Sequence, residues 1–130
     1  MTADKPANLE HARLKVAEAA ASGARLIMLP EIFNSPYSND SFPVYAEPLP
    51  PGSPLADELS PSASMLSTAA KEHSIFLVGG SVPEREGDHL YNTTLVFSPS
   101  GELVAKHRKT HLCVEYSCVL RFDWIDTILV

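Results

Sequence analysis

Arg25-Leu-Ile-Met-Leu-Pro-Glu-Ile-Phe-Asn-Ser-Pro-Tyr37 is the stretch whose reading decides the fold. Arg25 to Leu29 is largely apolar, lies between Gly23 and Pro30, and is too short for a helix, so it predicts a short buried strand. Pro30 ends that strand, because proline brings no N–H to a ladder. Glu31 then stands just past the carboxyl end of the strand, where open α/β sheets place their ligand chemistry. By residue type alone the competing reading is a solvated loop acid, since exposed acids are common.

Working outward, residues 8–22 predict a helix, with Leu9, Ala12, Val16 and Ala19 or Ala20 at helical spacing and Glu10, Arg13, Lys15 and Glu18 on other faces. Pro6 suits its first position and Gly23 its end. Downstream, residues 32–61 form a long connection carrying seven prolines, which reads either as a functional wall beside Glu31 or as a surface loop with aromatic anchors. A second helix is expected over Ser62 to His73, with Ser60 as N-cap and Pro61 at the first position. Ile75-Phe-Leu-Val-Gly-Gly80 follows as another buried strand. Strand, helix, strand implies a right-handed crossover and a parallel pair. Gly79 and Gly80 mark a bend or a close backbone approach. Leu90 to Ser98 and Glu102 to Lys106 predict a hairpin around Ser98-Pro-Ser-Gly101.

The 130 residues suit one domain with a real core. A net charge of -6 argues against a nucleic-acid or membrane-surface partner, whose footprint is a basic patch. No apolar run reaches the roughly 20 residues needed to span a bilayer, and the start lacks the layout of a signal peptide. The expected location is therefore cytoplasmic. Cys113 and Cys118 are too few and too close for a disulfide framework.

A second stretch, Val104-Ala-Lys-His-Arg-Lys-Thr-His-Leu112, gives Glu31 a context. Five blocks stand in order: Leu29-Pro-Glu-Ile-Phe-Asn-Ser-Pro-Tyr37, Phe42-Pro-Val-Tyr-Ala-Glu47, Val78-Gly-Gly-Ser-Val-Pro-Glu84, Leu90-Tyr-Asn-Thr93 and Lys106-His-Arg-Lys-Thr-His-Leu112. Together they resemble the nitrilase (carbon-nitrogen hydrolase) superfamily, omega-amidase branch, over about residues 7–112. A series of blocks is far more specific than one short motif.

The resemblance implies an α/β fold, part of an αββα sandwich whose subunits dimerise. It implies cleavage of the terminal amide of small dicarboxylic acid amides, of the 2-oxoglutaramate and 2-oxosuccinamate type, by a Cys-Glu-Lys set and with no cofactor. Glu31 matches the general base and Lys109 the lysine that stabilises the oxyanion. Phe33 and Tyr37 match a substrate-side wall. Without these matches Lys109 would read as one more solvated base in a run.

Against the family pattern the chain looks short by one strand at its front and truncated at its C-terminal side. Residues 1–112 are expected to form the N-terminal part of the hydrolase domain, and 113–130 a divergent tail. Cys118, before Val-Leu-Arg-Phe, only faintly echoes the family's nucleophile. A carboxylate and an ammonium without a thiol cannot form a thioester, so the chain alone is expected to be inactive. Two other classes compete. One is an interaction protein binding full-length homologues through an uncovered face, or a homo-oligomer. The other is a small metal module built on His107, His111, Cys113 and Cys118, which Arg108 and Lys109 oppose by charge.

Overall fold

The computed structural model describes residues 1–49 and 59–110. Its first element is α1 (Lys5–Ala21). Asp4 caps it, its carboxylate accepting from the Ala7 amide, and Pro6 falls in the first turn. The far end closes as expected on Gly23, at φ 96°. Ala24 N donates to Ala19 O and Gly23 N to Ala20 O, the paired bonds of a Schellman ending.

β1 (Leu26–Met28) follows and pairs in parallel with β2 (Phe76–Val78), Leu26 opposite Phe76 and Met28 opposite Val78. Between them run the short α2 (Phe42–Tyr45) and α3 (Pro61–His73). α3 starts with Ser60 at the N-cap and Pro61 in the first turn. Ser60 does not cap with its side chain; its hydroxyl donates to Pro48 O. The orphan amide of Ser62 is taken instead by Glu47 Oε2 at 3.0 Å, a carboxylate well placed for the positive end of a helix dipole.

β3 (Val82–Glu86), β4 (His89–Phe97) and β5 (Leu103–Arg108) complete a five-stranded sheet. β4 and β5 form the expected hairpin, antiparallel, with a register shift between Val96 and Phe97. On its other edge β4 pairs with β2 at Val96 and Phe97 and with β3 from His89 to Thr93. β2 and β3 are thus successive halves of one edge, broken at Gly79 and Gly80.

Alternation along these strands separates two faces. Leu77, Val82, Leu95 and Phe97 point to one face, where Val16, Leu66, Ala69 and Ala70 of the helices pack over them. The other face has no helix over it among the described residues. Leu26 and Met28 are more than half exposed, and Phe76 is exposed too. The buried strands expected at 25–29 and 75–80 are therefore buried on one side only, because α1 and α3 cover a single face. The expected tail at 113–130 lies outside the described residues.

Candidate functional site

Leu29 N donates to Val78 O at 3.0 Å, which extends the β1 ladder by one residue before Pro30 ends it. The chain then turns sharply. Ile32 sits at φ 50°, a conformation that β-branched residues avoid and that persists where surrounding contacts enforce it. Two such contacts come from the break in the neighbouring edge. Ile32 N donates to Ser81 Oγ at 3.1 Å, and Gly80, at φ 54°, lies so close that a Cβ there would stand 2.0 Å from Pro30 O. The close approach expected of the glycine pair is thus at Gly80, where it shapes the Pro30–Glu31 turn.

That turn delivers Glu31 onto the open face of the sheet. Its Oε1 accepts from Lys109 Nζ at 2.8 Å and from Asn92 Nδ2 at 2.6 Å. The sequence places Glu31 and Lys109 78 positions apart, and the sheet brings them together. Lys109 arrives because Lys109 N donates to Asn92 O at 2.8 Å, one bond beyond the end of β5. Side chains of the ion pair are 41% and 40% exposed, so it contributes at most about 1 kcal/mol to stability. A pair that does so little for the fold is free to serve chemistry.

The two aromatic candidates part. Phe33 is 0% exposed within the core cluster, so its ring anchors the loop and lines no open surface. Tyr37 is 63% exposed and stands by Glu31. Its phenol is pushed above the ordinary value by burial and then by the charge of Glu31, with Lys109 opposing. Asn92 was not among the candidates drawn from sequence. It stood inside the quoted block Leu90-Tyr-Asn-Thr93, where a neutral amide offers no charge to draw attention. Of the metal alternative, only His107 is described, and no group of three or more ligating side chains occurs among the described residues.

Behind the site, on the helix-covered face, lies a second carboxylate. Glu84 is 1% exposed and accepts from Arg108 Nε and Nη2 at 3.0 and 2.8 Å, from Lys106 Nζ at 2.5 Å and from Thr93 Oγ1 at 2.5 Å. Burial opposes its charge, but the hydrogen bonds from Arg108, Lys106 and Thr93 outweigh burial and hold the carboxyl at about 2. Arg108 also lies over the Tyr91 ring, 3.8 Å from its centroid.

A glutamate and a lysine joined on an otherwise open sheet face can take a proton and stabilise an anion. The carbon-nitrogen hydrolase family model matches residues 1–122 of this chain. The chain belongs to the carbon-nitrogen hydrolase family. It is 56% identical over 112 residues to a chloroplastic omega-amidase of Arabidopsis thaliana, covering 86% of this chain and 29% of that protein. It is 43% identical over 125 residues to the omega-amidase NIT2 of Xenopus tropicalis, covering 95% of this chain and 42% of that one. Nit3 of Saccharomyces cerevisiae, of the nitrilase superfamily, superposes with a TM-score of 0.77 at 41% identity, over 85% of this chain and 40% of Nit3. An amidase of Nesterenkonia sp. AN1, solved with acrylamide, shares the fold at a TM-score of 0.68 and 24% identity, over 86% of this chain and 40% of that one. The chain thus spans well under half the length of these relatives. The chain is thus similar in sequence to omega-amidases, and its α/β fold is that of the nitrilase superfamily. No helix among the described residues is long and apolar enough to cross a membrane.

Proposed function

We propose that this chain supplies the base and the cation of an omega-amidase-type reaction. Glu31 takes the proton of a thiol nucleophile and later activates water, and Lys109 stabilises the oxyanion formed when the thiol attacks the amide carbon. The observation that carries this reading is the 2.8 Å contact between Lys109 Nζ and Glu31 Oε1 on the open face. Tyr37, exposed beside that pair, forms the substrate side. The substrates are small dicarboxylic acid amides such as 2-oxoglutaramate. Both cysteines lie outside the described residues, and the chain alone is inactive in this reading.

Two assays test it. The purified chain with 2-oxoglutaramate releases no ammonia; release that disappears in Cys118→Ala overturns the inactivity. In a chimera where residues 1–112 replace the matching segment of the Arabidopsis omega-amidase, turnover is retained. Glu31→Gln or Lys109→Met then lowers kcat by about 10² to 10³. A chimera whose rate is indifferent to both substitutions removes the assignment.

A second reading, binding of full-length homologues, is favoured by the exposure of Leu26, Met28 and Phe76, since contiguous apolar surface marks interaction sites. It predicts that the chain co-purifies with an intact omega-amidase and that Phe76→Lys abolishes capture. A monodisperse monomer that ignores the intact enzyme excludes it.

A further inference from the structure

Asn92 is 3% exposed yet belongs to the open face, opposite Pro83 in the β3–β4 ladder. It makes two contacts of different kinds to the two candidate residues. Its side chain donates to Glu31 Oε1 at 2.6 Å, and its backbone carbonyl accepts from Lys109 N at 2.8 Å. Lys109 Nζ reaches the same Glu31 oxygen. Asn92 Oδ1, by contrast, is buried with no hydrogen-bond partner. An unpartnered buried acceptor costs roughly 1 to 3 kcal/mol, so a side chain kept for packing would be expected to be apolar here.

We propose that Asn92 is a positioning residue that holds the Glu31 carboxylate and the Lys109 backbone in one fixed relation. This rests on the reading of Glu31 and Lys109 given above. The amide must present Nδ2 to the carboxylate, because the reverse orientation would set two oxygens against each other, and this fixes Oδ1 in its unpaired place. With Asn92 and Lys109 both donating to Oε1, the other oxygen of Glu31 is the one left to receive a proton. A base whose two oxygens are made different in this way is oriented before any substrate arrives, a form of preorganisation.

Asn92→Asp is the sharpest variant, since it keeps the shape and replaces the donor with a second carboxylate. Nuclear magnetic resonance on the isotope-labelled chain reads the Asn92 side-chain amide, the Lys109 ammonium and the Glu31 carboxyl carbon. The Asn92 amide signals are expected to move on Glu31→Gln, and the Glu31 carboxyl carbon signal is expected to move in Asn92→Asp, where the donor to Oε1 is lost and a second carboxylate faces the first. Thr94→Ala, on the same strand and face, serves as control and leaves both unchanged. Asn92→Ser gives a second, smaller variant should Asn92→Asp disturb the sheet amides.

Unmoved Asn92 amide signals in Glu31→Gln, or a Glu31 carboxyl carbon signal that stays in place in both Asn92 variants, overturn the proposal. These readouts need no turnover, so they stand or fall apart from the amidase assignment. In the active chimera the same substitution lowers kcat by about a hundredfold and leaves KM in place; a loss confined to KM contradicts the positioning role.

Discussion

Glu31 and Glu84 lie on opposite faces of one sheet and draw their partners from the same two strands. β4 supplies Asn92 to Glu31 and Thr93 to Glu84, while β5 and the residue after it supply Lys109 to Glu31 and Arg108 to Glu84. The chemistry is of one kind in both, a carboxylate with one neutral donor and a cation, to which Glu84 adds a second cation in Lys106. The surroundings differ. Glu84 is buried on the helix-covered face, where Lys106 also ties it to Leu49 O at 2.6 Å. Glu31 sits on the uncovered face with 40% of its side chain in water. A sealed ion cluster fixes geometry and is costly to break, whereas a half-open pair adds little stability and remains accessible. The comparison teaches that the face of the sheet, more than residue type, divides structural from functional charge here.

Three substitutions sharpen or break that division. Gly80→Ala has the largest expected effect. Its Cβ would meet Pro30 O at 2.0 Å in a left-handed conformation, so destabilisation of about 3 kcal/mol is expected in urea titration, from clash and backbone strain together. The damage should fall on the Glu31 side, with the Glu84 cluster still titrating as before. Glu84→Gln comes next, at about 3 kcal/mol or somewhat less, because Lys106 and Arg108 keep part of their side chains in water.

Glu84 also gives an acid signature. Its folded carboxyl lies below the ordinary 4.5, at about 2, so its contribution is complete above about 4.5 and is lost as pH falls toward about 2. The urea midpoint of the unmodified chain should fall across that window, and the Glu84→Gln midpoint should fall less. Glu31→Gln is the smallest, within about 0.5 kcal/mol of the unmodified chain by thermal unfolding. A loss there as large as that of Glu84→Gln would erase the distinction between the two faces.

Much of this was legible in the sequence because local chemistry was strong. The Gly23 ending, the Pro61 start, the parallel pair flanking α3 and the turn at Ser98 to Gly101 all follow from residues with a single favoured conformation. β3 was not foreseen. Val82-Pro-Glu-Arg-Glu86 carries a proline and three charges, a poor strand by composition. It forms because Pro83 turns its missing donor away from β4, toward Glu47, whose N–H donates to Pro83 O at 3.0 Å. Glu31 and Lys109 were legible through the resemblance, not through spacing. The place of Phe33 in the core and the part played by Asn92 depended on which way side chains point across strands, which the letters alone do not carry.

The pairing of Asn92 with Thr93 and of Arg108 with Lys109 makes this part of the chain sensitive to length more than to identity. Each neighbour serves a different face, so inserting one residue between Lys106 and His107 would slide the end of β5 by one place and exchange the roles, sending Lys109 toward the helices and Arg108 toward the open side. Val104 is different, because it stands at the register shift that lets Leu103 oppose Phe97 and Ala105 oppose Val96. Its removal leaves the downstream parity intact. A single-residue gap at Val104, Ala105 or Lys106 is therefore absorbed by loss of the bulge, whereas an added residue beyond it is not.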